Sequence, residues 1–318
     1  MLPAEWIDQA RQRIAPYIER TPLFYDADND FFLKWESVQV TGSFKVRGAL
    51  NKVLGLQDWE REGGLVAASA GNHGLGAALA GKITGVKTDV FVPEDAVPLK
   101  LQKLAEMGAV VHKIPGGYPA AERAAKLHAA ATGSAWISPY NDAQIIAGQA
   151  TIALEVLEDL PELDRAAWVV PVGGGGLIAG IGCALQAAGG KHRLFGVQAE
   201  NSPFVHSLFY HGHQLGILEK PTLADGLAGE IEDSSLTIPL IKRYVQDFIL
   251  VSEQEIQDAM RYAWERYGEP IEPSAAAALA AALSGKLSLR PAVLIMTGGN
   301  VQPELHAKIC LAKKNENE

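Results

Sequence analysis

A lysine and the glycine-rich loops that follow it are the residues of this chain with the clearest chemical potential. Lys45 lies in residues 41–48, and glycine-rich loops follow at residues 69–74, 173–176 and 297–300. A lysine amine can form a Schiff base with an aldehyde cofactor. Main-chain N–H groups at the start of a helix can bind a phosphate. The order of these parts predicts an enzyme that uses a phosphorylated aldehyde, pyridoxal 5'-phosphate (PLP).

The loop of Gly173, Gly174, Gly175 and Gly176 is the predicted phosphate site. It comes directly after an apolar run and before a helical pattern, so bare N–H groups and the helix dipole would face an anion. The loop lacks the Gly-Lys-Ser/Thr ending of a nucleotide P-loop. A dinucleotide site lacks a well-placed acidic partner, for which Glu200 is a weak candidate. A flexible turn or a close helix–strand crossing is the structural alternative.

The other two loops contain polar side chains suited to the ring of the cofactor. Asn72 could donate to the phenolic oxygen, and N–H groups of the same loop could bind a substrate carboxylate. The hydroxyl of Thr297 could meet the pyridine nitrogen. Taken singly, each residue is more often a turn or cap residue. Their occurrence together, in a workable order after Lys45, favours the cofactor site.

Short apolar runs that alternate with helical patterns must position these loops. Strands are predicted at residues 65–68, 88–92, 109–114, 168–172, 193–198, 247–251 and 292–296. A helix is predicted at 99–107, and a capping box at 252–255 opens another that runs to about residue 267. Such alternation predicts an α/β fold with mostly parallel strands. The strand–glycine loop–helix arrangement occurs twice, which predicts two sheets whose loops face a shared cleft.

Composition limits the classes of partner and the compartment. The chain has 318 residues and a formal net charge of −9, which argues against nucleic acid or an anionic membrane as the main partner. Cys183 and Cys310 form neither a disulfide framework nor a metal cluster, and the N-terminus lacks a signal-peptide pattern. These features predict a cytoplasmic enzyme. The apolar run 275–283 is too short to span a bilayer and predicts a buried helix. The tail after Cys310 is expected to fray.

Motifs along the whole chain resemble the fold type II PLP enzymes, and among them the serine/threonine dehydratase and serine racemase group. The matching segments are residues 43–49, 69–73, 148–155, 173–177, 224–227, 272–274 and 297–300. Arg47 follows Lys45 without an intervening aspartate, which is similar to dehydratases rather than cysteine synthases. The resemblance implies a two-domain fold like that of the tryptophan synthase β subunit. Each domain would be a mostly parallel twisted sheet flanked by helices.

The resemblance also implies domain limits and residue roles. A large PLP-binding domain would comprise residues 1–50 and 142–318, and a small domain residues 51–141. Lys45 would be the catalytic residue that carries PLP, and no metal ligand is expected. The remaining implied residues contact the ring (Phe44, Asn72, Thr297), the phosphate (Gly173, Gly174, Gly175, Gly176, Leu177) or the substrate carboxylate (Ser69, Ala70, His73). Fold-level analogy suggests a homodimer.

Two departures from the family pattern affect the expected activity. Serine racemases usually have a second serine at the position of Ala70, where it serves the face of Cα opposite the lysine. Some relatives bind a divalent cation through a glutamate and an aspartate six residues later; Glu200 matches here, but His206 takes the later position. The first departure favours elimination over racemisation, and the second puts the metal site in doubt.

The expected reaction is β-elimination of a 3-hydroxy amino acid, with L-threonine or L-serine as first choices, to a 2-oxo acid and ammonia. Lys45 would remove the Cα proton as general base. A serine racemase, or a dehydratase for 3-hydroxyaspartate or phenylserine, is the alternative on the same scaffold, and residues 140–142 could shape the side-chain pocket. A non-catalytic PLP or phosphate-binding protein is the alternative from another class.

Overall fold

Two separate β-sheets organise the molecule, and the strands of the larger one come from both ends of the chain. The computed structural model describes residues 2–311. The large sheet consists of β1 Leu23–Asp26, β2 Phe31–Trp35, β7 Ala167–Pro171, β8 Arg193–Ala199, β9 Asp247–Val251 and β10 Ala292–Met296. The small sheet consists of β3 Leu65–Ala68, β4 Thr88–Pro93, β5 Val110–Ile114 and β6 Ala135–Trp136. The predicted strands agree with seven of these ten within a residue or so, whereas β1, β2 and β6 were not predicted.

Parallel pairing dominates both sheets. The six-stranded sheet has the order β1-β2-β10-β7-β8-β9, and the four-stranded sheet has the order β5-β4-β3-β6. All neighbouring strands are parallel except β1 and β2. The prediction of an α/β fold with two mostly parallel sheets is confirmed.

Helices cover the two sheets. Their bounds are α1 Ala4–Ile14, α2 Lys45–Gly55, α3 Asp58–Arg61, α4 Asn72–Thr84, α5 Pro98–Glu106, α6 Gly117–Thr132, α7 Ala143–Asp159, α8 Gly176–Ala188, α9 Phe204–His211, α10 Thr237–Tyr244, α11 Glu253–Tyr267, α12 Pro273–Leu283 and α13 Pro303–His306. Short 3₁₀ turns lie at Ala15–Tyr17, Glu36–Val38 and Asp225–Leu227, and a π-helical turn lies at Ala307–Leu311. Among the described residues, no helix combines the length and the apolar character needed to cross a membrane.

Local sequence sets several helix boundaries. Ser252 and Glu255 form the predicted reciprocal capping box at the start of α11. The carboxylate of Asp142 accepts from the main-chain N–H groups of Gln144 and Ile145, which fixes the start of α7. The predicted buried helix at 275–283 is α12, which packs against one face of the large sheet. The tail that was expected to fray lies, apart from Leu311, outside the described residues.

A buried ion network holds α2 in place. Arg47 contacts Glu36 at 2.7 Å and Glu155 at 2.6 Å, and Lys34 contacts Glu155 at 2.5 Å. Burial alone would lower the pKa of Arg47, but the two carboxylates raise it, so the guanidinium stays charged. Two positive and two negative side chains thus neutralise each other inside the protein. Because Arg47 is in the first turn of α2, the network fixes the helix that begins at Lys45.

Parallel strands bring the predicted loops to common edges. β10, β7 and β8 run in parallel, so residues 297–300, 173–176 and 200 all follow carboxyl ends on one edge of the large sheet. The loop 69–74 follows β3 of the small sheet and leads into α4. Ligands of open α/β sheets bind at such edges. The fold therefore directs all three loops toward one region.

Candidate active site

Lys45 is the first residue of α2 and has a buried amine. Its Nζ donates to the main-chain carbonyl of Pro139 at 2.9 Å and lies 5.1 Å from the centroid of the Phe44 ring. Burial lowers the pKa of Lys45 to about 8, and the carboxyl of Glu272 opposes part of that shift. The amine therefore loses its proton more readily than an exposed lysine does, as a nucleophile or general base requires.

The glycine loop between β7 and α8 has no room for side chains. A Cβ added at Gly174 would lie 2.2 Å from the ring of Tyr140, and one at Gly173 would lie 2.7 Å from the carbonyl of Gly226. Gly175 has a φ of 83°, in the left-handed region that favours glycine. Leu177 packs its side chain into the apolar core, so only its main chain can serve a ligand. The loop is a main-chain cradle at the start of a helix.

Tyr140 and the preceding residue connect the lysine to the cradle. Pro139 accepts from Lys45, while the Tyr140 ring covers Gly174 and Gly176. The hydroxyl of Tyr140 accepts from the main-chain N–H of Glu232 at 3.1 Å, and burial raises its pKa to about 12. The amine and the cradle therefore contact adjacent residues of one segment.

Asn72 lies at the centre of a chain of side-chain hydrogen bonds. Its Nδ2 donates to the two carboxyl oxygens of Glu272 at 2.8 and 3.0 Å, and its Oδ1 accepts from Asn300 at 2.7 Å. Burial raises the pKa of Glu272 to about 7; Asn72 opposes the shift, Asp225 adds to it, and Lys100 and Lys45 oppose it. The chain of bonds fixes which end of the Asn72 amide donates.

The loop after β10 joins these groups to the segment before Lys45. The main-chain carbonyl of Thr297 accepts from the N–H of Phe44 at 3.1 Å, and Gly298 pairs with Ser43 in an isolated bridge. A Cβ at Gly298 would lie 2.4 Å from an oxygen of Glu272. Thr297 is buried. The structure thus brings together Lys45, Phe44, Asn72 and Thr297.

The residues predicted for a carboxylate subsite lie on the loop between β3 and α4. The hydroxyl of Ser69 accepts from the N–H of Gly71 at 3.0 Å, and Ala70 is half-buried beside an apolar cluster. Burial, together with the charge of Lys45, lowers the pKa of His73 to about 3, so its ring is neutral. Its Nε2 donates to the carbonyl of Ile137 at 2.7 Å. His73 is therefore held by main chain.

The position that corresponds to a divalent-cation site in some relatives does not fit a metal ion. Glu200 contacts the ammonium of Lys286 at 3.4 Å. The main-chain N–H of His206 donates to Gln198 at 2.7 Å, and its ring packs on Tyr210. Within residues 2–311, no three His, Cys, Asp or Glu side chains are grouped as metal ligands.

Comparison with known proteins decides the family. A family model described as pyridoxal-phosphate dependent enzyme matches residues 12–298. The chain belongs to this family. The cofactor predicted from Lys45 and the glycine loops, PLP, is thereby confirmed, and the non-catalytic alternative is set aside.

Relatives within this PLP family include lyases and racemases. The L-threonine ammonia-lyase of Thermotoga maritima is 37% identical over 317 residues, which cover 97% of this chain and 78% of that protein. The structure of maize serine racemase has a TM-score of 0.89 at 32% identity, covering 96% of this chain and 95% of that one. The structure of a serine racemase from Dictyostelium discoideum and that of a bacterial threonine deaminase each have a TM-score of 0.85 at 36% identity, covering 94% of this chain and 98% of the other.

The described residues fit PLP. The main-chain cradle excludes side chains where a phosphate needs close approach, and the buried amine of Lys45 has a pKa suited to bond formation with an aldehyde. PLP supplies an imine linkage to the substrate amine and withdraws electrons from Cα. The chain supplies the anchor, the base and the positioning groups.

Sequence reasoning did not assign a role to three residues of this region. Glu272 and Asn300 appear only as members of matching motifs, and Tyr140 only as part of a suggested side-chain pocket. One signal for Glu272 was available, because a glutamate directly before Pro273 occupies the N-cap position of an apolar helix. Its partner Asn72 is 200 residues away, so the contact itself could not be read locally.

Replacing Glu272 with glutamine should change how stability depends on pH. The pKa of Glu272 is raised from 4.5 to about 7 in the folded chain, so its burial is tolerated below pH 4.5 and becomes costly as pH rises toward 7. We expect the unfolding free energy of the native chain, relative to Glu272→Gln, to fall by about 3 kcal/mol across that interval. Urea unfolding of both cofactor-free proteins at several pH values measures this difference.

A second glutamate provides the control for this titration. Glu265→Gln, at an exposed position on α11, removes one carboxylate from the surface of the same region. A constant difference between the native chain and Glu272→Gln from pH 4.5 to 7.5 would contradict the raised pKa of Glu272.

Proposed function

We propose that this protein is a PLP-dependent ammonia-lyase that converts L-threonine or L-serine to a 2-oxo acid and ammonia. The observation that carries the proposal is the buried amine of Lys45, with its lowered pKa, placed at the junction of the phosphate cradle and the Asn72 loop. Similarity to an L-threonine ammonia-lyase and a threonine deaminase over nearly the whole chain supports the same substrate class.

The residues of the site divide the work in this proposal. Gly173, Gly174, Gly175, Gly176 and the main chain of Leu177 hold the phosphate through N–H groups at the start of α8. Asn72, oriented by Glu272 and Asn300, donates to the ring hydroxyl. Phe44 packs beside the ring, and Thr297 offers a hydroxyl to its nitrogen. Ser69, Ala70, His73 and adjacent N–H groups line the carboxylate subsite.

Lys45 performs the proton transfer. Once the substrate amine has displaced it, the neutral amine takes the Cα proton as general base. The β-hydroxyl then leaves as water after gaining a proton. Hydrolysis of the released enamine gives the 2-oxo acid and ammonia. Because the leaving hydroxyl carries the electrons away, the hydroxyl of Thr297 is sufficient at the ring nitrogen, and no carboxylate is needed there.

A serine racemase is the second candidate, favoured by the similarity to maize serine racemase. Racemisation requires a proton donor on the face of Cα opposite the lysine. Ala70, at the position where serine racemases usually have a serine, has no group that can transfer a proton. Elimination is therefore the favoured outcome for this chain.

Replacing Ala70 with serine should increase racemisation. A hydroxyl at this half-buried position could return a proton to Cα from the second face. We expect the ratio of D-serine to pyruvate formed from L-serine to rise by about tenfold, which corresponds to ~1.4 kcal/mol in relative barrier height. Chiral chromatography and a pyruvate assay measure both products.

A substrate panel and a second variant make the test specific. Ala70→Val adds bulk without a proton-transfer group and should leave the product ratio unchanged. Native protein should release more 2-oxo acid from L-threonine and L-serine than from 3-hydroxyaspartate or phenylserine. Faster interconversion of L- and D-serine than pyruvate release by the native protein would reject the lyase assignment.

Assembly, domain division and compartment remain parts of this proposal. All four strands of the small sheet lie between residues 51 and 141, which supports a small domain inserted in a large one of residues 1–50 and 142–318. Cys183 and Cys310 are both free thiols, as expected in a reducing cytoplasm. A homodimer is proposed by analogy with the fold, and sedimentation analysis tests it.

A further inference from the structure

The ammonium of Lys286 lies among oxygen atoms at the carboxyl edge of the large sheet. Its Nζ donates to the main-chain carbonyl of Leu250 at 2.9 Å and to Glu255 at 2.8 Å, and it lies 3.4 Å from an oxygen of Glu200. Lys286 follows α12, whereas its partners belong to β9, to the first turn of α11 and to the residue after β8. One positive charge therefore contacts three separate elements.

This set of partners has the chemistry of a cation site. Carboxylate and main-chain carbonyl oxygens are the ligands that hard cations such as Mg²⁺ and Ca²⁺ prefer. Glu255 is also held by its capping-box contact with the N–H of Ser252 at 2.6 Å, so its carboxylate is oriented. Without a positive charge between them, Glu200 and Glu255 would face each other as two like charges.

We propose that Lys286 acts as a covalently tethered cation, whose ammonium holds β8, β9 and α11 together where a bound metal ion would otherwise be needed. The native protein then requires no divalent or monovalent cation at this position. The mismatch at His206, which lies away from Glu200's contacts, agrees with this assignment. The inference concerns stability and does not depend on which amino acid is the substrate.

The proposal predicts a cation requirement that appears only when the ammonium is removed. Lys286→Met keeps most of the side-chain length but leaves two carboxylates and a carbonyl without a positive partner. Because Lys286 is 36% exposed, each surface contact contributes modestly, and the expected loss is about 2–4 °C in melting midpoint. A cation that binds the folded variant should restore the midpoint by mass action.

Thermal unfolding of the PLP-bound protein tests this directly. Native protein, Lys286→Met and the control Lys191→Met, at another exposed lysine, are melted in EDTA, in MgCl₂, in CaCl₂ and in KCl. Tetramethylammonium chloride at equal ionic strength separates specific binding from screening. We expect native protein and Lys191→Met to melt alike in every salt. Lys286→Met should melt lower in EDTA and recover with at least one of the three cations.

A double variant assigns the recovered binding to the proposed oxygens. Glu200→Gln combined with Lys286→Met removes one carboxylate ligand, so recovery by the cation should need at least about tenfold more salt or disappear. A native protein that loses stability in EDTA would overturn the proposal. So would a Lys286→Met protein that melts like the native one, or that no cation restores. Lyase assays on the same samples report separately on the proposed function.

Discussion

Lys45→Ala is expected to leave a folded protein that neither binds PLP covalently nor turns over 3-hydroxy amino acids. The change removes the amine that forms the bond to the aldehyde and also the base that takes the Cα proton. Loss of a general base alone commonly costs about 10²–10⁴ in rate, so activity should fall by at least that factor. The visible absorption of lysine-bound PLP should be absent, and borohydride should no longer attach the cofactor to the chain.

The control for this change lies on the same helix. Lys52 is two turns farther along α2 and pairs with Asp142 at 2.8 Å. Lys52→Ala should retain the visible band and most of the activity. Peptide mapping after borohydride reduction of the native protein should place the cofactor on Lys45. Normal turnover by Lys45→Ala, or a label on another lysine, would contradict the assignment of Lys45.

The strands that could be predicted are those with an unbroken local signal. β3, β9 and β10 begin and end at the predicted residues, because each is a short apolar run bounded by polar or glycine residues. β2 was missed because Lys34 interrupts its apolar run. That lysine is buried only because Glu155, 121 residues away, accompanies it. A local pattern cannot report such a partner.

The candidate site shows the same division between local and distant information. Lys45 and the glycine cradle were found because residue type and sequence order indicate their chemistry. The hydrogen bonds that orient Asn72 come from Glu272 and Asn300, at separations of 200 and 228 residues. Burial also could not be read from the sequence, and it is burial that sets the pKa values of Lys45, His73 and Glu272.

Gly174→Ala should weaken PLP binding although it adds a single methyl group. The new Cβ would lie 2.2 Å from the ring of Tyr140, far inside van der Waals contact, so the ring or the cradle must move. Overpacking of this kind costs about 1–3 kcal/mol, which corresponds to roughly tenfold to a hundredfold in cofactor affinity. Titration of the cofactor-free protein with PLP, followed by its visible absorption, measures the change.

Two further variants show whether the Tyr140 contact is the cause. Gly55→Ala adds the same methyl group on α2 at an ordinary 3.5 Å from Arg13 and should leave PLP affinity unchanged. In a Tyr140→Ala background, the space beside Gly174 is open, so Gly174→Ala should cost much less than it does in the native chain. An equal cost in both backgrounds would show that the methyl group acts on the phosphate directly. An unchanged affinity in Gly174→Ala alone would mean that the loop does not cradle PLP, because a phosphate bound by main-chain N–H groups is sensitive to displacement of that chain.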